Sequence, residues 1–93
     1  MTVTVRIPTI LRSYTAGASE VNVEAVQGNL ADVLVALESQ APGISGRILD
    51  DEGHLRRFVN IFIDDEDVRY LNGLETEIPE RTVISVIPAV AGG

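Results

Sequence analysis

The chain has 93 residues, of which 45% are hydrophobic, and its 14 acidic and seven basic side chains give a formal net charge of −7. A chain of this length forms one compact domain around a single core, and its negative charge disfavours nucleic acid and anionic membranes as partners. The first residues show no signal-peptide pattern and no segment has the length of a transmembrane helix, so we expect a cytoplasmic protein.

Alternation of polar and apolar residues predicts two N-terminal strands. Residues 2–7 place valine and isoleucine side chains on one face, which is typical of a half-buried strand. After Pro8 and a polar loop at residues 15–19, Val21 and Val23 alternate with polar residues. We therefore expect an antiparallel partner for the first strand.

The apolar residues that follow Asn29 recur at helical spacing. They are Leu30, Val33, Leu34, Leu37 and Ala41. This spacing predicts an amphipathic helix. Asn29 is the expected N-cap, and Asp32 lies in the first turn, where its charge interacts favourably with the helix dipole. Pro42 and Gly43 end the helix, and residues 44–49 predict a further short helical turn.

The second half of the chain contains two more strand patterns. Residues 58–63 and 83–87 are rich in β-branched residues. An acidic turn at residues 64–67 and a brief strand at residues 68–70 lie between them. Pro88 ends the last strand, because proline has no N–H to donate to the sheet.

The order of these elements is β-β-α-β-(β)-β. It predicts an α+β roll in which a mixed sheet packs on one main helix. Residues 1–87 form the domain, and we expect residues 88–93 to be a flexible C-terminal tail.

Three apolar residues are predicted to lie on the solvent side of the sheet. Asn60 marks that side of its strand, and Phe58 and Phe62 share it by alternation. Ile87 shares the solvent side with Ser85 in the last strand. We interpret Phe58, Phe62 and Ile87 as a partner-docking surface beside the tail. The alternatives are scattered surface residues, or a loop that covers them.

The sequence contains no cysteine, and all seven basic residues are arginines: Arg6, Arg12, Arg47, Arg56, Arg57, Arg69 and Arg81. Without cysteine, disulfides, thiolate metal sites and persulfides on a side chain are excluded. Without lysine, an activated carboxyl terminus finds no side-chain amine on another copy of the chain. Compositional drift in a GC-rich genome explains the arginine bias equally well.

No side chains are predicted to be catalytic or to bind a metal ion. Residues 64–67 are best interpreted as a solvated turn, because the spacing of a calcium-binding EF-hand is absent. Contact with a basic partner is the alternative for this turn. His54 is the only histidine and is expected at the surface. The chain lacks a nucleophile elbow and a phosphate-binding loop, which favours a substrate or carrier over an enzyme.

The tail ends in a diglycine. Two residues without Cβ atoms make a thin strip that fits a narrow enzyme channel and presents its carboxylate. Gly93 is therefore the candidate site of covalent chemistry, and Val90, Ala91 and Gly92 form the tail that delivers it. A frayed terminus is the alternative.

With this tail, the sequence resembles the ubiquitin-like β-grasp sulfur carriers of the ThiS/MoaD type over essentially its whole length. Residues 7–12 (IPTILR), 57–61 (RFVNI), 65–69 (DEDVR) and 88–93 (PAVAGG) resemble the actinobacterial branch that supplies sulfur for cysteine synthesis. The chain departs from the family at residues 80–82, where Glu-Arg-Thr replaces a common Asp-Gly-Asp turn.

The resemblance implies a mechanism in which this chain binds no cofactor. An E1-like adenylyltransferase of the MoeB/ThiF type would use ATP and magnesium to adenylate Gly93, and a sulfur donor would convert the adenylate to a thiocarboxylate. A cysteine synthase dependent on pyridoxal phosphate would accept the sulfur, and a metalloprotease would release cysteine. Delivery to thiamine, molybdopterin or a natural product, conjugation to proteins, and a plain interaction module are the rival interpretations.

Overall fold

The computed structural model describes residues 2–24 and 28–88, in which one mixed sheet has the strand order β2-β1-β5-β3-β4. The strands are β1 (Thr2–Arg6), β2 (Glu20–Glu24), β3 (Val59–Ile63), β4 (Glu66–Asp67) and β5 (Val83–Pro88), and the α-helices are α1 (Leu30–Gln40) and α2 (Ser45–Ile48). The same described residues also contain 3₁₀ helices at Thr9–Thr15, Val68–Tyr70 and Gly73–Glu75. β1 is antiparallel to β2 and parallel to β5, whereas β3 is antiparallel to β5 and β4. The predicted α+β roll is confirmed.

The N-terminal hairpin and α1 build the core from the predicted apolar faces. Val3 and Val5 of β1 are fully buried with Val23 of β2. The buried residues of α1 (Leu30, Val33, Leu34 and Leu37) belong to the same cluster. The helix and hairpin predictions are therefore confirmed. The face of the sheet opposite α1 does not contribute these buried residues.

The start of α1 has the predicted N-cap. The Asn29 carboxamide oxygen accepts from the Asp32 N–H at 3.0 Å, and the Asp32 carboxylate accepts from the Asn29 N–H at 3.1 Å. This reciprocal capping box satisfies two N–H groups that the helix itself leaves without partners. Because both residues lie in the stretch that begins the apolar pattern, the sequence was sufficient to locate this end of the helix.

Glu38 joins the end of α1 to α2. Its carboxylate accepts from the Gly43 N–H at 2.7 Å, and from the N–H and hydroxyl of Ser45 at 3.0 and 2.7 Å. The hydrogen bond from Gly43, and after it those from Ser45, favour the charged carboxylate and lower the pKa of Glu38 below its ordinary value. The short helix α2 is therefore anchored by a side chain of α1.

One local prediction was wrong, and one helix had not been predicted. The segment after the Pro8 break forms a 3₁₀ helix at Thr9–Thr15, for which the sequence pattern predicted no element. Val68–Tyr70 is also a 3₁₀ helix and not a strand, while the short strand β4 lies inside the predicted acidic turn. The Asp67 carboxylate accepts from the Arg69 N–H at 2.8 Å, and this local cap favours a helical turn over continuation of the strand.

β5 is one residue longer than predicted. Pro88 remains in the sheet as the Cα partner of Val59. It occupies the last position of its strand, beyond which β5 has no further partner in β3. None of the helices in the described part of the chain is long and apolar enough to span a bilayer.

In the turn before β5, a residue other than glycine has its backbone in the left-handed region. Arg81 has φ = 65°, a conformation that costs L-residues roughly 1–2 kcal/mol. The Arg81 N–H donates to the Thr2 carbonyl at 3.2 Å, and the Thr82 hydroxyl donates to the Pro79 carbonyl at 2.6 Å. Residues 80–82 are the segment where the sequence departs from the family that it resembles, and glycine would adopt the conformation of Arg81 with less strain.

Candidate functional site

The predicted sulfur-carrying residue Gly93 lies outside the described residues, as do Val90, Ala91 and Gly92 of the predicted tail. The structure therefore describes the site up to Pro88. This residue ends β5, which lies between β1 and β3 in the sheet. The features that surround Pro88 are an outer sheet face on one side and a cleft lined by arginines on the other.

The outer face is the side of the sheet opposite α1, and it contains two of the predicted docking residues. Phe62 and Ser85 are Cα partners in neighbouring strands, and Ile87 is the partner of Asn60. Phe62 and Ile87 are therefore diagonal neighbours on the same face. The side chain of Ile87 is 46% exposed, whereas Phe62 is half-buried, although exposure was predicted for both.

Polar residues frame these two apolar side chains. In the row of strand partners that contains Phe62, Ser85 separates it from Arg6, and Asp67 lies on its other side. Arg6 forms an ion pair with Glu20 at 3.5 Å, which is exposed and contributes little to stability. The outer face is thus a small apolar area with a charged rim, an arrangement common in transient protein interfaces.

A groove adjoins this face where β1 and β5 end. It has a volume of about 290 Å³. Its lining residues are Arg6, Ile7, Pro8, Ser85, Val86, Ile87 and Pro88. Ile87 and Pro88 both line it, and Pro88 is the root of the predicted tail. A partner that contacts the outer face therefore also reaches this root.

Arg69 is a feature of the outer face that the sequence pattern did not reveal. Its guanidinium donates to the Asn60 side-chain oxygen and, at 2.9 Å, to the Arg56 carbonyl. These bonds hold a positive charge beside the strand position that pairs with Ile87. The Asp67-capped turn aims Arg69 back at β3, and a prediction of strand at residues 68–70 excluded that geometry.

Phe58 does not belong to the outer face. β3 begins at Val59, and the Val59 N–H donates to the Arg56 carbonyl at 3.0 Å, so the chain turns just before the strand. The alternation that would place Phe58 beside Phe62 does not extend across this turn. Phe58 is 51% exposed and lines a separate cleft, with the Arg57 guanidinium 5.4 Å from its ring centroid.

The remaining sequence candidates lie in exposed turns. His54 is exposed. Its backbone N–H donates to the Asp50 carboxylate at 2.9 Å, and this hydrogen bond lowers the pKa of Asp50. In the acidic turn, the Asp64 carboxylate accepts from the Val83 N–H at 3.3 Å. Within residues 2–24 and 28–88, no three histidine or carboxylate side chains are grouped to hold a metal ion.

The chain is similar to known proteins in both sequence and structure. The model of the ThiS family matches residues 5–93. The sulfur carrier protein CysO of Mycobacterium tuberculosis is 47% identical over 95 residues, covering 100% of both chains. One chain of the crystal structure of the Amycolatopsis orientalis BexX/CysO complex is 43% identical, with a TM-score of 0.87 over 98% of this chain and 99% of that one.

A relative of another kind matches a shorter region. The small archaeal modifier protein 3 of Haloferax volcanii is 36% identical over 64 residues, which cover 69% of this chain and 68% of that protein.

Proposed function

The chain belongs to the ThiS family, and from that membership we propose that it is a sulfur carrier whose terminal Gly93 bears sulfur as a thiocarboxylate. The main support is the 47% identity with CysO of M. tuberculosis, which extends over the whole of both chains. The absence of cysteine is consistent with this proposal, because the main-chain terminus then supplies the only position for a carried sulfur.

The proposed loading takes place in two steps, both on an activating partner of the MoeB/ThiF type. The Gly93 carboxylate oxygen attacks the α-phosphorus of ATP, and pyrophosphate leaves to give an acyl adenylate. A hydrosulfide-level donor then forms a C–S bond at the acyl carbon while the C–O bond to AMP breaks. Loss of a proton leaves the thiocarboxylate. Magnesium and ATP are held by the partner, and this chain supplies no catalytic side chain.

The outer face is the proposed dock for the activating partner. Ile87 is exposed one residue before Pro88, so its burial against the partner brings the root of the tail to a fixed place. Proximity of this kind contributes to rate because the reacting carboxylate no longer has to be located by diffusion. Phe62 gives the same area an aromatic floor, and Arg6 and Arg69 supply charges at its rim.

Delivery is proposed to a cysteine synthase that uses pyridoxal phosphate. The thiocarboxylate sulfur adds to an aminoacrylate held by that enzyme, and an S-to-N acyl shift then joins Gly93 to the new cysteine through an amide. A metalloprotease hydrolyses this amide, which frees cysteine and regenerates the Gly93 carboxylate. Delivery to thiamine, molybdopterin or natural-product synthesis uses the same loading with a different acceptor.

The loading experiment uses the purified full chain with an activating enzyme of this type, ATP, magnesium and sulfide. Intact-mass spectrometry should detect the gain that results when one oxygen is replaced by sulfur, and a chain lacking Gly93 should show no gain. A full chain that forms the adenylate but never the thiocarboxylate would contradict the carrier proposal.

A ubiquitin-like modifier is the second candidate, favoured by the similarity to small archaeal modifier protein 3. It shares the adenylation step, but an isopeptide bond joins Gly93 to a lysine of a target. Because the last arginine of the chain is Arg81, trypsin would leave residues 82–93 attached to the target lysine. Detection of that remnant by mass spectrometry in cell extracts supports conjugation, and its absence together with thiocarboxylate formation supports the carrier.

A further inference from the structure

We propose that the cleft between the Thr9–Thr15 helix, α2 and the turn before β3 docks an acidic segment of a partner protein. The occupant is a peptide segment whose carboxylates flank an apolar or aromatic side chain. This surface is distinct from the outer face. The proposal goes beyond the sulfur chemistry, because it holds whether or not Gly93 carries sulfur.

Positive charge is concentrated at this cleft in an acidic chain. Arg47, Arg56 and Arg57 line it, which is three of the seven arginines in a sequence of net charge −7. Among residues 2–24 and 28–88, Arg6 is the arginine that forms an ion pair with a carboxylate, that of Glu20, and both lie on the outer face. The three cations of the cleft therefore form no ion pair with a carboxylate of the described residues.

Neutral groups hold each of these arginines in place. The Arg47 guanidinium donates to the Tyr14 hydroxyl at 2.8 Å, and Arg56 donates twice to the Gly46 carbonyl, at 3.1 and 3.0 Å. Arg57 lies over the ring of Phe58. Such contacts restrict the side chains without cancelling their charge, so less conformational entropy is lost when an anion binds.

One carboxylate also lines the cleft, that of Asp50. Its Oδ1 accepts from the N–H groups of Glu52 and His54, both at 2.9 Å. The Asp50 carboxylate thus caps the turn that follows it in the chain. The Asp50 charge offsets part of the positive potential of Arg56, and the cleft retains an excess of two positive charges among its lining side chains.

The cleft also offers apolar surface to a ligand. Ile10 is 69% exposed and Phe58 is 51% exposed, and both line a volume of about 710 Å³. Buried Leu11, Val59 and Val86 contribute to the same lining. A free phosphate ion would use the cations alone, whereas a peptide with carboxylates beside an apolar side chain uses both parts. Guanidinium groups are suited to this role, since they pair with carboxylates through two parallel hydrogen bonds.

The test uses ¹⁵N-labelled full chain and a short synthetic peptide in which glutamates flank a single phenylalanine. Addition of the peptide should shift the amide signals of residues 10–14, 47 and 56–58, and a peptide with lysines in place of the glutamates should not. Arg57→Glu should weaken binding about tenfold or more, because it replaces a charge-assisted contact by repulsion. Arg81→Glu, with the same change in net charge outside the cleft, should weaken it less than about twofold.

Several outcomes would overturn the proposal. Equal weakening by Arg57→Glu and Arg81→Glu would show that net charge alone is responsible. Signals that shift at Phe62 and Ile87 would place the peptide on the outer face. Inorganic pyrophosphate that binds with the same Arg57 dependence, while the peptide does not, would identify a phosphate site. If Arg57→Glu is poorly folded, Arg57→Gln, which removes the charge without adding a negative one, is compared with Arg81→Gln, which makes the same change in net charge outside the cleft.

Discussion

Replacement of Ile87 tests whether the outer face is the dock for the activating enzyme. Complete burial of an isoleucine side chain contributes about 1.5–3 kcal/mol. Since 46% of Ile87 is still exposed, docking has about 0.7–1.4 kcal/mol left to gain from this residue. Ile87→Ala should therefore lower kcat/KM for adenylation about threefold to tenfold. Ile87→Asp should lower it at least about twentyfold, because an unpaired carboxylate is also removed from water.

The assay is ATP–pyrophosphate exchange by an activating enzyme of the MoeB/ThiF type, with the chain as the varied substrate. Val35→Asp is the matched control. Val35 is 70% exposed and lies on α1, on the other side of the sheet. Circular dichroism and thermal unfolding establish that each variant is folded. Unchanged kcat/KM in a folded Ile87→Asp variant, or equal losses for Ile87→Asp and Val35→Asp, would refute the assignment of the dock.

Three further predictions concern stability, and urea unfolding checks all of them. Arg81→Gly should raise the free energy of unfolding by up to about 1 kcal/mol, because relief of the left-handed strain exceeds the entropy that glycine adds to the unfolded chain; a loss would show that the Arg81 side chain stabilises the turn. Leu34→Ala should cost about 2–5 kcal/mol, because the side chain is buried in the core, and a cost below about 1 kcal/mol would contradict that packing. Glu38→Gln should destabilise the chain near neutral pH. The folded pKa of Glu38 is lowered, so its contribution is present above the unfolded value near 4.5 and is lost as pH falls through the folded value. The difference between Glu38→Gln and the parent chain should shrink in acid, and a difference that is constant with pH would exclude a role for the charge.

The regular elements were predictable because their signals repeat. The stripe of α1 recurs over three turns, and the capping box between Asn29 and Asp32 marks its first residue. The face of β1 is defined by alternation that continues into its hairpin partner. In such segments many residues favour the same structure, so one atypical residue changes little.

The failed predictions depend on single contacts that leave no periodic trace. A cap from Asp67 decides between strand and 3₁₀ helix at residues 68–70, and a turn hydrogen bond from Val59 removes Phe58 from the outer face. The gathering of Arg47, Arg56 and Arg57 was equally hidden, because α2 and the turn before β3 meet only in the folded chain. Sequence reasoning therefore placed Ile87 and Phe62 on one face of the sheet, but it could not divide the surroundings of Pro88 into two surfaces.

That division bears on how the proposed carrier can serve successive enzymes. Pro88 lines both the groove of the outer face and the arginine cleft. β5 is paired with β1 through residues 83–85 and with β3 as far as Pro88, so the end of the strand lies against β3 alone. In our proposals an activating enzyme recognises Ile87, and a second partner recognises Arg57 and its neighbours. The two partners then differ in the surface that they bind, while the position from which the tail departs stays the same.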